Sequence, residues 1–176
     1  HGVKVWNRSP DKLTPLLALG AEAARTPVEA ASGVDGVLMC LFDARAVEAV
    51  VFGADGVAQA QGLPWLVDHS SIDPAATRVL AQRLKDASGA DWIDAPVSGG
   101  VPGVEAGTLA IMAGGAATHL PQARAAMQAY AGNVTHMGAS GAGQATKLCN
   151  QTIVATTISA IAEAIGFAAR NGIDLQ

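Results

Sequence analysis

The chain has 176 residues and a formal net charge of −4; half of its residues are hydrophobic and only 4% are aromatic. This length allows one full core and part of a second domain, and the mild acidic balance without a basic patch argues against a nucleic-acid partner. The longest apolar stretches are interrupted by Asp, Gly or Gln, so we expect no transmembrane segment and no membrane partner.

Predictions about the redox compartment, metal binding and the extent of the chain rest on the cysteines, the histidines and the chain ends. Cys40 and Cys149 lie far apart in apolar surroundings, which predicts buried, unpaired thiols in a reducing compartment and a cytoplasmic location. The histidines share no metal-ligand spacing, so no metal site is predicted. The chain starts at His1, almost within a strand, and stops at Gln176, just after a helix stop, so we expect an internal fragment of a longer protein.

Short apolar runs alternate with stretches of helical period along the chain. Strands are predicted, in chain order, at residues 3–6, 36–41, 65–68, 92–95, 109–112 and 133–136. Helices are predicted at residues 11–19, 44–51, 74–85, 120–130 and 143–169. This alternation predicts an α/β fold with a doubly wound parallel sheet, and the last helix is long enough to leave the sheet and begin a helical domain.

The first predicted strand ends in Asn7, Arg8 and Ser9. In dinucleotide-binding folds, the end of the second strand meets the adenosine ribose. An acidic residue there binds the 2′-hydroxyl of NAD, and an arginine accommodates the 2′-phosphate of NADP. Arg8 therefore favours NADP; the alternative is a solvated arginine, the commoner state of this residue type.

A Gly- and Pro-rich segment follows the predicted strand at residues 92–95. It contains Ser98, Gly99 and Gly100. Backbone N–H groups exposed by glycines, together with a serine hydroxyl, can hold a carboxylate. The alternative is an ordinary turn, because Gly and Pro are the usual turn residues.

One lysine stands near the start of the long apolar helix. Lys147 follows a glycine-rich stretch, and Asn150 and Gln151 follow at the i+3 and i+4 positions of a helix. A desolvated ammonium is costly, so a lysine in such a place tends to be functional; the alternative is a lysine whose ammonium reaches out to solvent. A cation flanked by amides can bind a carboxylate and protonate a carbonyl oxygen, as hydride delivery to an aldehyde requires.

Taken in order, these segments resemble the β-hydroxyacid dehydrogenase family, over nearly the whole chain. The segments that carry the resemblance are residues 5–9, 39–43, 68–74, 94–100 and 138–147. The resemblance implies a partial Rossmann-like dinucleotide-binding domain at residues 1–139, without its first strand. It also implies an interdomain helix at residues 140–176 that opens an all-helical domain.

The resemblance also implies roles for individual residues. Lys147 would be the general acid and base. Substrate binding would fall to Ser98, Gly99, Gly100, Asn150 and Gln151. Cofactor binding would fall to Asn7, Arg8, Ser9, Leu41, Phe42 and Ser71, with Phe42 standing where the family usually has proline.

The implied function is an NADP- or NAD-dependent oxidoreductase that interconverts a small 3-hydroxy acid and its semialdehyde. Residues 147–151, Lys-Leu-Cys-Asn-Gln, look most like the 2-hydroxy-3-oxopropionate (tartronate semialdehyde) reductase branch, with 3-hydroxyisobutyrate dehydrogenase as the alternative. A non-catalytic NADP-binding scaffold is the alternative from another class. We expect a homo-oligomer formed through a helical C-terminal domain, and we expect the 176-residue chain alone to be inactive.

Overall fold

The computed structural model describes residues 2–174 and has helices on both sides of a sheet. The strands are Lys4–Val5 (β1), Glu22–Ala23 (β2), Val37–Met39 (β3), Trp65–Asp68 (β4), Asp91–Asp94 (β5), Val97–Ser98 (β6), Leu109–Gly114 (β7) and Ala131–Gly138 (β8). The α-helices are Thr14–Ala18 (α1), Pro27–Ala31 (α2), Ala44–Phe52 (α3), Pro74–Ser88 (α4), Gly100–Glu105 (α5), Leu120–Met127 (α6) and Ala142–Arg170 (α7). Short 3-10 helices lie at Pro10–Leu13 and Val57–Gln59.

The main sheet has six strands and is mostly parallel. β3, β4 and β5 are parallel neighbours, and β8 pairs in parallel with β7. β7 runs antiparallel to both β5 and β6, which corrects the expectation of a fully parallel sheet. The connection from β6 to β7 carries only the short helix α5, less than a parallel crossover needs, so the chain reverses there.

The remaining strands form a second, smaller sheet. β1 and β2 pair in parallel with each other, and Lys4 Nζ donates a 2.9 Å hydrogen bond to the Ser32 carbonyl oxygen beyond α2. The predicted Rossmann-like α/β fold is confirmed in this mixed form.

Two buried clusters lie on the two faces of the main sheet. Leu66 and Trp92 belong to one cluster, whereas Val67 and Ile93 belong to the other. Successive residues of a strand point to opposite faces, so β4 and β5 are covered on both sides. This double cover explains why these strands are continuous apolar runs in the sequence.

Several elements differ from the sequence-based expectation. The helix predicted at residues 11–19 is a 3-10 helix followed by the short α1. The strands and α-helices not predicted are β2, α2, β6 and α5, and the 3-10 helix at Val57–Gln59 was not predicted either. Two of them are two-residue strands and α5 is rich in Gly and Pro, so none has a periodic pattern long enough to read.

Helix α7 is 29 residues long, and most of its surface is exposed in the described chain. An 18-residue window within it has a mean hydropathy of 1.6, so by length and composition alone this helix could cross a membrane. This corrects the expectation that no segment reaches transmembrane length. Cys149 on this helix and Cys40 after β3 are both exposed, which corrects their predicted burial. Cys149 lies on an exposed face of α7, and Cys40 lies at the exposed position directly after the end of β3.

Candidate active site

Lys147 lies in the second turn of α7 and reaches the segment that follows β5. Its Nζ donates a 2.8 Å hydrogen bond to the carbonyl oxygen of Val97, the residue before Ser98. The side chain is half-buried. The fold therefore brings together the lysine and the Gly-rich segment, which are about fifty positions apart in the sequence.

The Gly-rich segment leaves the sheet at a position that requires glycine. Ser98 ends β6, paired with Ala110 of β7, and is half-buried. Gly99 has a φ of +132°, and a Cβ there would lie 3.0 Å from Leu109 Cδ2. Gly100 begins α5, and both glycines are exposed. The exposed backbone of these two glycines thus lies two and three residues beyond Val97, whose carbonyl oxygen Lys147 contacts.

A buried carboxylate fixes the first turn of α7. Asp94 Oδ1 accepts a 2.8 Å hydrogen bond from the Gly141 N–H, and its Oδ2 accepts a 3.0 Å bond from the Gln144 N–H. Gly141 has no side chain to cap the helix, so Asp94 satisfies free N–H groups of the first turn from the end of β5. Burial raises the pKa of Asp94, and these amide hydrogen bonds partly offset that rise.

The helix start packs directly on the sheet. A Cβ on Gly143 would collide with the Met112 carbonyl oxygen and would lie 2.9 Å from Asp94 Oδ2. Only glycine permits this approach. The glycine spacing before Lys147 thus sets how deeply the helix start is seated.

Gln144 connects the same helix turn to the loop after β4. Its Nε2 donates a 2.6 Å hydrogen bond to the Ser70 carbonyl oxygen, and its Oε1 accepts a 3.3 Å bond from the Ile72 N–H. The side chain is only 1% exposed. Ser71 lies between these two anchored residues, and its own side chain is on the exposed surface.

The loop after β4 is tied in turn to the loop after β3. The Leu41 N–H donates to Ser70 Oγ at 2.9 Å, and the Ser70 N–H donates to Asp68 Oδ1 at 2.9 Å. Asp68 is fully buried, and burial raises its pKa to about 6 despite the hydrogen bonds from Ser70. A continuous polar network thus runs from Leu41 to the start of α7.

The His69 side chain connects the loop after β4 to the segment after β5 and to Tyr130. Burial lowers its pKa, so the ring is neutral near pH 7. With the proton on Nδ1, it donates to the Ala95 carbonyl oxygen at 2.6 Å, and Nε2 accepts from the Tyr130 hydroxyl at 2.8 Å. Burial raises the pKa of Tyr130 to about 12, so its hydroxyl keeps the proton that it donates over a wider pH range.

The predicted cofactor residues fall into two groups. Leu41, Phe42 and Ser71 follow β3 and β4, so they share the carboxyl edge of the main sheet. Phe42 is 94% exposed, an unusual state for a large aromatic side chain. The other group follows β1.

The residues after β1 belong to the smaller sheet. Asn7 Oδ1 accepts a 2.8 Å hydrogen bond from the Ser9 N–H, which shapes the turn and leaves the Arg8 side chain exposed. Within residues 2–174, no hydrogen bond joins Asn7, Arg8 or Ser9 to the edge of the main sheet. Among the described residues, the structure therefore does not link this group to the other predicted cofactor residues by a hydrogen bond.

The two amides after Lys147 differ in their surroundings. Asn150, one turn further along α7, is half-buried, whereas Gln151 is exposed. Asn150 Nδ2 donates a 3.3 Å hydrogen bond to Gln151 Oε1. Of the two, Asn150 shares more of the partly covered face that carries Lys147.

Sequence reasoning did not assign a role to Asp94, Gln144 or Ser70, which form the core of the network. Two of these three residues could have been found from a weak signal in the sequence. Asp94 is an acidic residue at the end of an apolar strand, and Gln144 is the one amide between Gly138 and Lys147. Within the described part of the chain, no group of three or more His, Cys, Asp or Glu side chains could hold a metal ion.

Comparison with known proteins gives family matches over both parts of the chain. Residues 1–138 match the NAD-binding domain of 6-phosphogluconate dehydrogenase, and residues 141–176 match the family described as NAD-binding of NADP-dependent 3-hydroxyisobutyrate dehydrogenase. A 3-hydroxyisobutyrate dehydrogenase of Pseudomonas aeruginosa is 35% identical over 175 residues, covering 99% of this chain and 58% of the relative. A 2-hydroxy-3-oxopropionate reductase of Escherichia coli is 38% identical over 161 residues, covering 90% of this chain and 54% of the relative.

A solved structure agrees with these sequence matches. The structure of a 3-hydroxyisobutyrate dehydrogenase of Mycobacterium tuberculosis with L-serine superposes with a TM-score of 0.90 at 34% identity, covering 99% of this chain and 59% of that one. The chain thus spans a little over half the length of these relatives. On its sequence, its sheet and its long final helix, the chain belongs to the β-hydroxyacid dehydrogenase family, whose cofactor is NAD(P).

Proposed function

We propose that this chain is the cofactor-binding part of an NADP-dependent oxidoreductase that interconverts a small 3-hydroxy acid and its semialdehyde. The observation that carries the proposal is the 2.8 Å hydrogen bond from Lys147 Nζ to the Val97 carbonyl oxygen. It sets a proton donor beside Ser98, Gly99 and Gly100, the segment suited to a carboxylate. A substrate whose carboxylate and aldehyde carbonyl are separated by one carbon, as in these semialdehydes, fits this pairing.

In the proposed reaction, some residues of the chain bind the substrate and Lys147 transfers the proton. The reduced nicotinamide, when bound, supplies the hydride that reaches the carbonyl carbon. Ser98 Oγ and the backbone N–H groups of Gly99 and Gly100 hold the carboxylate. As the carbonyl oxygen takes up negative charge, the Lys147 ammonium donates a proton to it and leaves a hydroxyl group. Asn150 orients the substrate from the next turn of α7.

Cofactor binding is assigned to residues at the strand ends, of which Leu41 is half-buried and the others are exposed. The Ser71 hydroxyl is assigned to the nicotinamide. Leu41, Phe42 and Ser71 lie at the carboxyl edge of the parallel strands, which is where such sheets bind dinucleotides. The exposed Arg8 guanidinium fits a 2′-phosphate, with Asn7 and Ser9 forming the turn around it, and so favours NADP over NAD. We propose the same domain bounds as the sequence predicts: residues 1–139 form the cofactor domain, and residues 140–176 form the helix that leads to a helical domain.

The substrate branch is proposed from the amides after Lys147. Asn150 followed by Gln151 favours 2-hydroxy-3-oxopropionate, and the 38% identical relative carries that name. The alternative substrate is 3-hydroxyisobutyrate or its semialdehyde, since the two other relatives are named 3-hydroxyisobutyrate dehydrogenase. The homo-oligomeric state and the cytoplasmic location stay predictions.

Lys147→Ala and Lys147→Arg test the catalytic assignment in the full-length protein. NADPH oxidation, followed by absorbance with tartronate and methylmalonate semialdehydes, should fall about 10²- to 10⁴-fold in both variants. Arginine keeps the charge but does not release its proton, so it should not rescue turnover. NADPH affinity should stay near that of the wild type.

The same assay separates the enzyme from the scaffold. Turnover by the Lys147→Ala protein at the wild-type rate would refute the role of the lysine. Tight NADPH binding by the wild type without turnover of either semialdehyde would instead favour a non-catalytic NADP-binding scaffold. The preferred semialdehyde decides between the two substrate branches.

The cofactor preference is tested with Arg8→Ala. Loss of the guanidinium should weaken NADPH binding about 10-fold and leave NADH binding unchanged, because only NADPH carries the 2′-phosphate. Lys12→Ala is the matched control, since it removes one exposed positive charge from the following 3-10 helix. Equal losses in the two variants, measured by fluorescence titration, would point to general electrostatics and not to a phosphate contact.

A further inference from the structure

We propose that Gln144 is a positioning residue that holds the proton donor and the nicotinamide-facing loop in one fixed arrangement. The proposal rests on the proposed function, which places Lys147 at the substrate and Ser71 at the nicotinamide. Gln144 itself would touch neither substrate nor cofactor. It would act through the two backbone segments that it joins.

Both ends of the Gln144 amide are used on the Ser71 loop. Nε2 donates to the Ser70 carbonyl oxygen, and Oε1 accepts from the Ile72 N–H, so the residues on either side of Ser71 are held by one side chain. The amide is buried, and no water is needed to complete its partners on this loop. An apolar side chain of the same size would fill the space but leave two backbone groups without these bonds.

The backbone of Gln144 is held equally firmly from the other side. Its N–H donates to Asp94 Oδ2, and Asp94 is part of the strand that leads into the Ser98 segment. Gln144 also lies three residues before Lys147, which is one helical turn. One residue thus connects three segments: the Ser71 loop, the carboxylate-binding segment and the helix turn that carries Lys147.

This connection has a kinetic consequence. Hydride transfer and proton transfer meet at the two ends of one carbonyl bond, so the distance between their sources must be fixed within a fraction of an ångström. A displacement of about 1 Å in such an arrangement can cost about 100-fold in rate, even when binding is little changed. Loss of the Gln144 amide should therefore lower kcat and leave cofactor affinity largely intact.

The test compares Gln144→Met with Thr77→Val in the full-length protein. Methionine keeps the volume of Gln144 and removes both hydrogen bonds. Thr77 is fully buried in α4, and its hydroxyl donates a 3.1 Å hydrogen bond to the Asp73 carbonyl oxygen, so Thr77→Val removes a buried hydrogen bond outside the network. Thermal unfolding of both variants shows whether they are comparably destabilised.

We expect kcat to fall about 10- to 100-fold in Gln144→Met, with the Kd for NADPH changed less than about threefold. The deuterium isotope effect on kcat, measured with NADPH deuterated at the transferred position, should rise, because hydride transfer becomes slower than the other steps. Partial unfolding would lower the amount of active enzyme but leave the isotope effect unchanged. Thr77→Val should keep both kcat and the isotope effect of the wild type.

Amide hydrogen exchange gives a measurement that does not depend on turnover. The Ile72 N–H should exchange faster in Gln144→Met than in the wild type or in Thr77→Val. Unchanged exchange at Ile72, or a kcat within twofold of the wild type, would overturn the proposal while leaving the proposed function in place. A wild-type protein that turns over no semialdehyde would instead refute the proposed function, and with it the positioning role.

Discussion

At the scale of single residues, burial raises the pKa of both Asp68 and Asp94 above the ordinary value of an aspartate. They are paired in the register of β4 and β5 and are both fully buried. Asp94 accepts backbone hydrogen bonds from the start of α7, but Asp68 Oδ2 has no hydrogen-bond partner within the described residues. Burial raises the pKa of Asp68 to about 6, and no hydrogen bond to Oδ2 offsets this rise within the described residues.

Asp68 should make the folded protein less stable as the pH rises from about 4 to about 6. The unfolded chain releases the Asp68 proton near the ordinary carboxyl pKa, before the folded chain does, so the folded state binds more protons within this window. A difference of about two pH units in pKa corresponds to about 3 kcal/mol of unfolding free energy by pH 7.

Urea unfolding of the wild type and of Asp68→Asn, followed between pH 4 and pH 8, measures this effect. Asp68→Asn should lose most of the decline in unfolding free energy between pH 4 and pH 6. Asp94, whose pKa is raised, and His69, whose pKa is lowered, titrate in both proteins, so the difference reports Asp68 together with its electrostatic coupling to Asp94. Parallel pH profiles for the two proteins would contradict the raised pKa.

At the scale of elements, α7 is held at its first turn and left uncovered along most of its length. Gly143 and Gly166 make this contrast testable within one helix. A Cβ at Gly143 would meet the Met112 carbonyl oxygen and Asp94, which are fixed, whereas a Cβ at Gly166 would meet only the end of the Arg170 side chain, at 3.4 Å. The first site cannot relax without moving the helix start off the sheet.

Gly143→Ala should therefore lower the unfolding free energy by about 3 kcal/mol, as overpacking against fixed atoms does. Gly166→Ala should leave it unchanged or raise it by up to about 1 kcal/mol, because alanine is the better helix former. Chemical denaturation of both variants checks the prediction. Equal effects would mean that the start of α7 is not seated as closely on the sheet as its contacts indicate.

At the scale of the whole molecule, an exposed apolar stripe runs along α7 and is left uncovered by the rest of the described chain. It consists of Val154, Ile158, Ile161 and Ile165, with Ile158 at 62% and Ile161 at 54% exposure. An apolar surface of this extent marks an interaction site or promotes association. Glu163 lies in the same helix, and an ionised carboxylate opposes insertion into a bilayer.

We expect the 176-residue chain to self-associate as its concentration rises in sedimentation velocity experiments. Ile158→Lys should reduce this association, because it places a charge within the stripe. Thr156→Lys adds the same charge on the other side of the helix and should have little effect. In a liposome flotation assay we expect the chain to stay in the lipid-free fraction; flotation with the vesicles would favour the membrane alternative.

Much of the fold and part of the site could be predicted from the sequence. The strand at Trp65–Asp68 was predicted at its observed bounds, because a strand covered on both faces is a continuous apolar run. The approach of Lys147 to the segment after β5 followed from the resemblance and agrees with its bond to Val97. The roles of the individual site residues stay predictions.

The sequence by itself determined the order of the longer strands and helices, the α/β class and the family, because hydrophobic periods and short motifs are local properties. Only the tertiary structure decided the antiparallel course of β7, the exposure of Cys40 and Cys149, and the joining of Asp94 to Gln144. Each of these depends on which distant segments lie side by side. The hydrogen bonds of Gln144 reach partners more than seventy residues away, and no local pattern encodes a contact of that kind.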